Sequence, residues 1–388
     1  MTSKIEMPVG FGGIAPSSTM ITPVEDLVKE AIKEALAKRG VVETPITEAA
    51  KEIAATVEPV LPKSAKKVEL LENQVWAKDL FNGVVAFTSK DNFPVTVFSS
   101  HDFDERVSAF IPKVNTGYTL NKEDVTSILK GWELGDKTLI YGPTGAGKSS
   151  VVEQLCAWTG RPFIRINCTG DMDSSMIFGQ LTAKDGATHW QDGSVTEAVK
   201  YGAVFAWDEW DVTPPEIGMG LQWLLEEEGK LYLKEMPGSS VDKFITPHKD
   251  FRLVAIGNTQ GQGDDTGQFS GTNVQNTATL DRFGTVIQVG YMLENDEVSM
   301  ILKKFPDFPE PEVRNLVRFS NLVRQGYQTG QINLTMSPRS NLGICKKVEA
   351  GYGLGNAVCL VYINKLSESH QKVTKELFRK IYGTSVKI

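Results

Sequence analysis

Two kinds of hydrophobic segment alternate along the middle of the chain. Short apolar runs recur at 138–141, 163–166, 203–207, 251–256 and 285–289, each too brief for a helix. Between them the apolar positions take helical spacing, most clearly over 148–158. Five short apolar strands separated by helices predict a parallel sheet covered on both faces, since crossover helices bury both sides of such a sheet. After about Glu294 the strand pattern stops. Four or five helices are predicted there, including 311–325, 338–349 and 367–381, which reads as a separate helical lid.

Upstream the pattern differs. Residues 68–98 are rich in β-branched and aromatic side chains, with 84–87 and 95–98 predicted as strands around a turn at Lys90-Asp91-Asn92. Thr22, Pro23 and Glu25 form a helix start, and Val24, Leu27, Val28, Ala31, Ala35 and Leu36 follow at helical spacing until Gly40. A second short helix is predicted after Thr44-Pro45 and is broken by Pro59 and Pro62. Residues 1–21 offer little apolar surface and are predicted to be a flexible tail. The fold class is therefore α/β in four segments: a tail and helical arm (1–64), a small β-rich module (65–111), an α/β core (112–293) and an α-helical lid (294–388). The arm either docks on a partner or a neighbouring subunit, or is loosely attached to its own body.

Length agrees with several domains, because 388 residues exceed the roughly 250–300 at which one core stops growing. A hydrophobic share of 41% and a charged share of 23% fit a globular body. The net charge of −7 removes the bulk attraction that nonspecific nucleic-acid or anionic-membrane binding uses, so neither partner is favoured. Four widely spaced cysteines, with no Cys-x-x-Cys, are expected to be reduced core residues. No apolar run has the length of a membrane span and the start lacks a signal-peptide core, so a soluble, cytoplasmic protein is expected.

The chemistry concentrates at the strand ends. Gly142-Pro143-Thr144-Gly145-Ala146-Gly147-Lys148-Ser149 satisfies G-x-x-x-x-G-K-[ST] in full, after an apolar strand and at the start of a helix. Such a loop wraps its backbone N–H groups around phosphates, Lys148 adds a point charge and Ser149 a hydroxyl for Mg²⁺. With Ser150 behind the loop, these residues predict binding of ATP with Mg²⁺. Residues 204–207 run apolar into Asp208 and Glu209. Asp208 is expected to hold Mg²⁺ through water, beside the Ser149 hydroxyl, and Glu209 to orient and deprotonate the attacking water. Asp211 is either part of this group or simply solvated. Asn258, at the end of the next strand, is either a turn residue or one that fixes the attacking water.

This ordered set resembles the AAA+ ATPases of the MoxR and chelatase group, most closely the CobS-type ATPase subunits of cobaltochelatases. The resemblance covers residues 110–383 and is carried by Tyr118-Thr-Leu-Asn, Trp207-Asp-Glu-Trp-Asp211, the stretch from Arg252 to Asn258, Leu280-Asp-Arg-Phe283, Met336-Ser-Pro-Arg339 and Tyr362-Ile-Asn-Lys365. It implies that Asn258 is sensor 1, that Arg282 is an arginine finger reaching a neighbour's γ-phosphate, and that Arg339 is sensor 2 on the lid. The alternative for Arg282 is a surface ion pair with Asp281, and for Arg339 a place on a charged helix face. The resemblance further implies a homo-oligomeric ring, a hexamer first among the sizes, and a partner protein of the kind that carries a von Willebrand A domain.

Two insertions also resemble the group: a hairpin over 179–193 with Asp185-Gly186 at its tip, and a second between Gly229 and Phe251 that turns at Pro237-Gly238-Ser239. His189 and Trp190 on the first either grip a substrate or pack on their own domain. The first 110 residues match the group poorly and nothing identifies a tetrapyrrole site, so the client need not be a chelatase, as for virus-encoded and bacterial relatives. The function expected is ATP hydrolysis coupled to remodelling of a partner. The alternatives are a nucleic-acid translocase and a slowly hydrolysing, ATP-gated assembly scaffold.

Overall fold

The structure, a computed structural model, describes residues 70–261, 263 and 273–383, the side chains of Pro215 and Glu216 excepted. The predicted tail and arm helices lie outside the described residues.

The sheet is built from β3 (Thr138–Tyr141), β4 (Phe163–Asn167), β7 (Val204–Asp208), β10 (Arg252–Gly257) and β11 (Thr285–Gln288), all parallel, in the spatial order β11-β3-β10-β7-β4. The central strands are the most apolar: β7 is buried along its whole length, whereas the edge strands β4 and β11 are mixed. A strand flanked by neighbours and by helices on both faces has no wet side, so its sequence does not alternate. Helices α1 (Lys122–Leu134) and α2 (Lys148–Thr159) cover one face through Ile128, Trp132, Val152 and Leu155. On the other face lie α4 (Ser194–Tyr201) and α5 (Pro215–Gln222), after the short α3 (Ser174–Phe178).

Residues 70–111 correct one expectation. The strands of this region are β1 (Gln74–Trp76) and β2 (Pro94–Thr96), paired antiparallel, and 84–87 is not a strand. The apolar signal there comes from anchoring rather than alternation. Val84 and Val85 turn back onto the Phe81 carbonyl, and Phe87 packs between Phe81 and Phe93 with ring centroids 6.2 and 5.7 Å away. Phe81 in turn meets Trp158 of α2 at 5.5 Å, so this segment shares the core of the sheet's first face.

Both insertions are hairpins. β5 (Gly179–Lys184) pairs with β6 (Ala187–Asp192) about a two-residue turn, Asp185 and Gly186, at φ +52° and +76°. Two left-handed residues are what a right-twisted two-residue hairpin requires. Trp190 packs on its own domain, where its ring closes over Gly179 and its Nε1 donates to Asp192 at 2.8 Å, while His189 is exposed. β8 (Leu231–Tyr232) and β9 (Phe244–Ile245) form the second hairpin.

Five helices follow among the described residues: α7 (Glu294–Lys304), α8 (Glu310–Gln328), α9 (Pro338–Glu349), α10 (Leu354–Val361) and α11 (Glu368–Tyr382). α6 (Thr277–Leu280) is a single turn before β11. The lid has its own apolar core, crossed by one buried polar network. Arg324 of α8 forks onto both oxygens of Glu297 on α7 at 2.8 and 2.9 Å, and Asn341 of α9 donates to Glu297 at 2.7 Å. Ser320 donates to Asn341 at 2.7 Å, and Arg324 Nε donates to the Met336 carbonyl at 2.8 Å. Glu297→Ala leaves a buried guanidinium unpaired and should destabilise the lid by about 3–5 kcal/mol. Hydrogen exchange of the α8 amides measures the loss; Glu310→Ala, at an exposed pair with Arg314, should change it little.

Candidate active site

The loop between β3 and α2 is shaped by close approaches that only glycine allows. Gly142 has φ +151°, and a Cβ there would lie 2.0 Å from the carbonyl oxygen of Val289, just beyond β11. Gly145 has φ +76°, and a Cβ there would lie 2.4 Å from Cβ of Ser337, the residue that starts α9. The phosphate loop and the lid are thus in backbone-close contact. Tyr291 fastens the same seam, its hydroxyl 2.9 Å from both the Thr144 carbonyl and the Thr335 hydroxyl. The first i to i+4 bond of α2 runs from Val151 to Gly147, so the N–H groups of Lys148, Ser149 and Ser150 are left for a ligand, at the positive end of the helix.

Lys148 is buried, with its ammonium on the carbonyls of Gly142 (2.8 Å) and Pro143 (3.1 Å) and on Asn258 Oδ1 (3.0 Å). Burial pushes its pKa below the ordinary lysine value, against the opposing pull of Glu209, Asp208 and Asp211. Ser149 Oγ donates to Asp208 Oδ2 at 2.8 Å. Asp208 ends β7, opposite Ile256 of β10 and Asn167 of β4, so the register brings it to the carboxyl edge where open α/β sheets bind ligands. Glu209 follows in the left-handed region at φ +55°, a conformation costly for a side chain with a Cβ and common at functional sites. Asn258 Nδ2 donates to Glu209 Oε2 at 2.8 Å. Burial raises the Glu209 carboxyl above the usual range, and the charges of Asp208 and Asp211 raise it further, while Lys148 and the Asn258 bond pull it down.

Lys148, Ser149, Asp208, Glu209 and Asn258 are therefore one connected group, with Thr144 at its rim, 3.4 Å from Asn258 Oδ1. Arg339, exposed in the first turn of α9, is near enough for its charge to be felt at Lys148. Arg282 does not join them. Its Nε pairs with Glu226 at 2.6 Å and its Nη1 bonds the Ala278 carbonyl, so its ion partner is Glu226 and not Asp281.

Asp211 is not solvated: it is fully buried, and its Oδ2 accepts from the Asn258 and Thr259 N–H groups and the Thr259 hydroxyl, each at 3.0 Å. It fixes the turn from which Asn258 projects. Sequence reasoning missed Arg165, whose guanidinium pairs with Asp208. The available signal was a charge inside an otherwise apolar strand, two residues before Asn167 and so on its face. Tyr118, in the stretch that carries the resemblance, reaches the Gly147 carbonyl at 3.4 Å.

A parallel sheet carrying this group at one edge is the arrangement of P-loop nucleotide-binding proteins, and the family match and the relatives below support an ATPase. Within that class it carries an AAA domain, since residues 137–283 match the family model described as AAA domain (dynein-related subfamily). The chain is 28% identical over 287 residues to the aerobic cobaltochelatase subunit CobS of Sinorhizobium sp, covering 72% of this chain and 85% of that one. It is 27% identical over 230 residues to the von Willebrand factor A domain-containing protein 8 of Mus musculus, covering 57% of this chain and 12% of that protein. Among solved structures, the Thermotoga maritima RuvB Holliday junction branch migration motor superposes with a TM-score of 0.38 at 14% identity, over 69% of this chain and 72% of that one. No helix among the described residues is long and apolar enough to cross a membrane.

The seam between loop and lid gives a direct test. Gly145→Ala forces a left-handed alanine, at a cost of roughly 1–2 kcal/mol, and drives its methyl into Ser337. Nucleotide affinity, measured by fluorescence titration, should fall by about tenfold or more. A parental affinity would show that lid and loop do not meet there.

Proposed function

We propose that this chain is the subunit of a ring-forming motor that hydrolyses Mg·ATP and uses the cycle to remodel a partner protein. The observation that carries the proposal is the seam at Gly145, Ser337, Thr144 and Tyr291: whatever fills the phosphate loop bears directly on the lid. Two relatives, a cobaltochelatase subunit and a von Willebrand factor A domain-containing protein, support a protein client, and one with a von Willebrand A domain is the first to test.

Mg²⁺ fits the residues present. Ser149 Oγ and Asp208 Oδ2 are two hard oxygens 2.8 Å apart, and a metal of this kind takes few protein ligands and completes its shell with phosphates and water. Held there, it would supply positive charge against the charge of the nucleotide phosphates. The α2 N–H groups and Lys148 hold the phosphates. Glu209 accepts the proton of the attacking water, and Asn258 keeps that carboxylate aimed. Arg339 reads the nucleotide from the lid. Arg282, turned away to Glu226 in its own subunit, serves the neighbour's site.

Glu209→Gln should cut turnover by about 10²–10⁴-fold while ATP binding survives, and the variant loaded with ATP should retain its client in affinity capture. The acid limb of the kcat/KM–pH profile, which reports the free enzyme, should lie above the ordinary glutamate value. Asn258→Ala removes a bond that lowers the Glu209 pKa and should move the limb up; Asp211→Asn removes a charge that raises it and should move the limb down. A limb that ignores both changes would remove Glu209 from the role of base.

The ring is tested by mixing. Arg282→Ala chains should bind ATP yet lose about 10³–10⁵-fold in turnover, and Lys148→Ala chains should bind none. Combined, they should recover activity, because an intact loop can then meet a neighbour's intact arginine. No recovery in mixtures that co-assemble would return Arg282 to the role of a structural partner of Glu226.

A further inference from the structure

Asp208 has more partners than a metal ligand needs. Its Oδ2 accepts the Ser149 hydroxyl at 2.8 Å, and the same oxygen is paired with a guanidinium nitrogen of Arg165. Its Oδ1 accepts the Glu209 N–H at 3.1 Å. Arg165 stands on β4 opposite Ala206, two residues short of Asn167, so the alternation of the strand turns it toward the same edge. The pair is unequal: the Asp208 side chain is 5% exposed and the Arg165 side chain 42%. Asp208 is fixed by its strand and its hydrogen bonds, whereas the guanidinium ends a long chain with water on one side.

A divalent ion on Ser149 Oγ, served by Asp208 Oδ2 directly or through water, would draw on the oxygen the guanidinium now uses. Two cations on one buried carboxylate oxygen repel each other strongly where the effective dielectric is low. An unpaired carboxylate in that place is costly as well. A second cation brought to the same oxygen therefore weakens the hold of the first.

We propose that Arg165 is a positioning residue for the hydrolytic site, a built-in counter-ion that holds Asp208 charged and aimed before the metal enters and yields Oδ2 when the metal arrives with the nucleotide. The competition makes metal binding depend on nucleotide: a bare divalent ion must displace the guanidinium unaided, whereas a metal carried by phosphates gains the contacts of the loop as well. The inference rests on the assignment of Ser149 and Asp208 to Mg²⁺, and its test keeps the two apart.

The full chain is titrated with Mn²⁺, read by electron paramagnetic resonance, alone and with ADP, for the parent, Arg165→Gln and Arg165→Lys. Removing the competing charge should tighten Mn²⁺ binding by on the order of tenfold in Arg165→Gln, most visibly without nucleotide, with a smaller gain in Arg165→Lys, which keeps the charge and loses the fork. The Gln variant should also melt below the parent in EDTA, and Mn²⁺ with ADP should narrow that gap. Mn²⁺ affinity that is unchanged or weaker in Arg165→Gln would overturn the proposal, since Arg165 would then be neutral toward the metal or support it. Were the Gln variant unable to fold, weaker Mn²⁺ binding by Arg165→Lys would overturn it equally. If the parent binds ADP no better with Mn²⁺ than in EDTA, the metal assignment itself fails, whatever Arg165 does.

Discussion

Parallel register is the constraint on which the rest of this molecule depends. β3, β10, β7 and β4 are aligned so that Tyr141 stands opposite Gly257, and Ile256 opposite Asp208, which in turn stands opposite Asn167. One level of the sheet therefore separates buried apolar residues from the polar groups beyond it. An inward slip of one residue in β7 would carry Asp208 to the level of Trp207 and turn it to the opposite face of the sheet, away from Ser149. The apolar runs that fix the register are thus also what deliver the phosphate loop, the carboxylates and Asn258 to one edge.

At that edge the problem is one of buried charge. An ammonium and three carboxylates stand within a site that excludes much of the water, and their mutual charges and hydrogen bonds offset the cost of burial, although Asp211 Oδ1 is buried without a hydrogen-bond partner. Asn258 is the hinge of this arrangement. Its Oδ1 faces the Lys148 ammonium, and its Nδ2 faces the Glu209 carboxylate. Only an amide offers an acceptor and a donor in one side chain at that spacing; an aspartate would add a fourth negative charge and repel Glu209. Asp211 does the complementary work from below, holding the backbone of the Asn258 turn.

What could be read in the sequence is what local pattern encodes. The five strands, the helix behind the phosphate loop, the first hairpin with its Asp185-Gly186 turn and the lid helices all announce themselves by period, cap or turn residue. The carboxylate pair was legible because an apolar strand ran straight into it. Two kinds of feature were not. Residues 84–87 have the composition of a strand but serve as anchors, since the three phenylalanines nearby pack as a cluster and leave the backbone to turn. Contacts between distant positions were equally silent: Gly145 with Ser337, Tyr291 with Thr144, and Arg165 with Asp208 depend on which strands and helices become neighbours, which no local window contains.

The placement of Arg282 has a physical connection to its own subunit's site. Trp210 directly follows Glu209 and is fully buried, with its ring 6.0 Å from Trp207 and 5.7 Å from Phe283, both edge to face. Phe283 directly follows Arg282. Close-packed rings of this kind cannot absorb a displacement by compressing, so a movement of the Glu209 turn has to be met by Phe283 or by the rings around it. Glu226 holds the Arg282 side chain from another element, at the end of the turn after α5, and its carbonyl is bonded by Lys137 at the start of β3. Arg282 is thus held between two supports within its own chain, a ring stack rooted at the Glu209 turn and a carboxylate rooted beside the second hairpin.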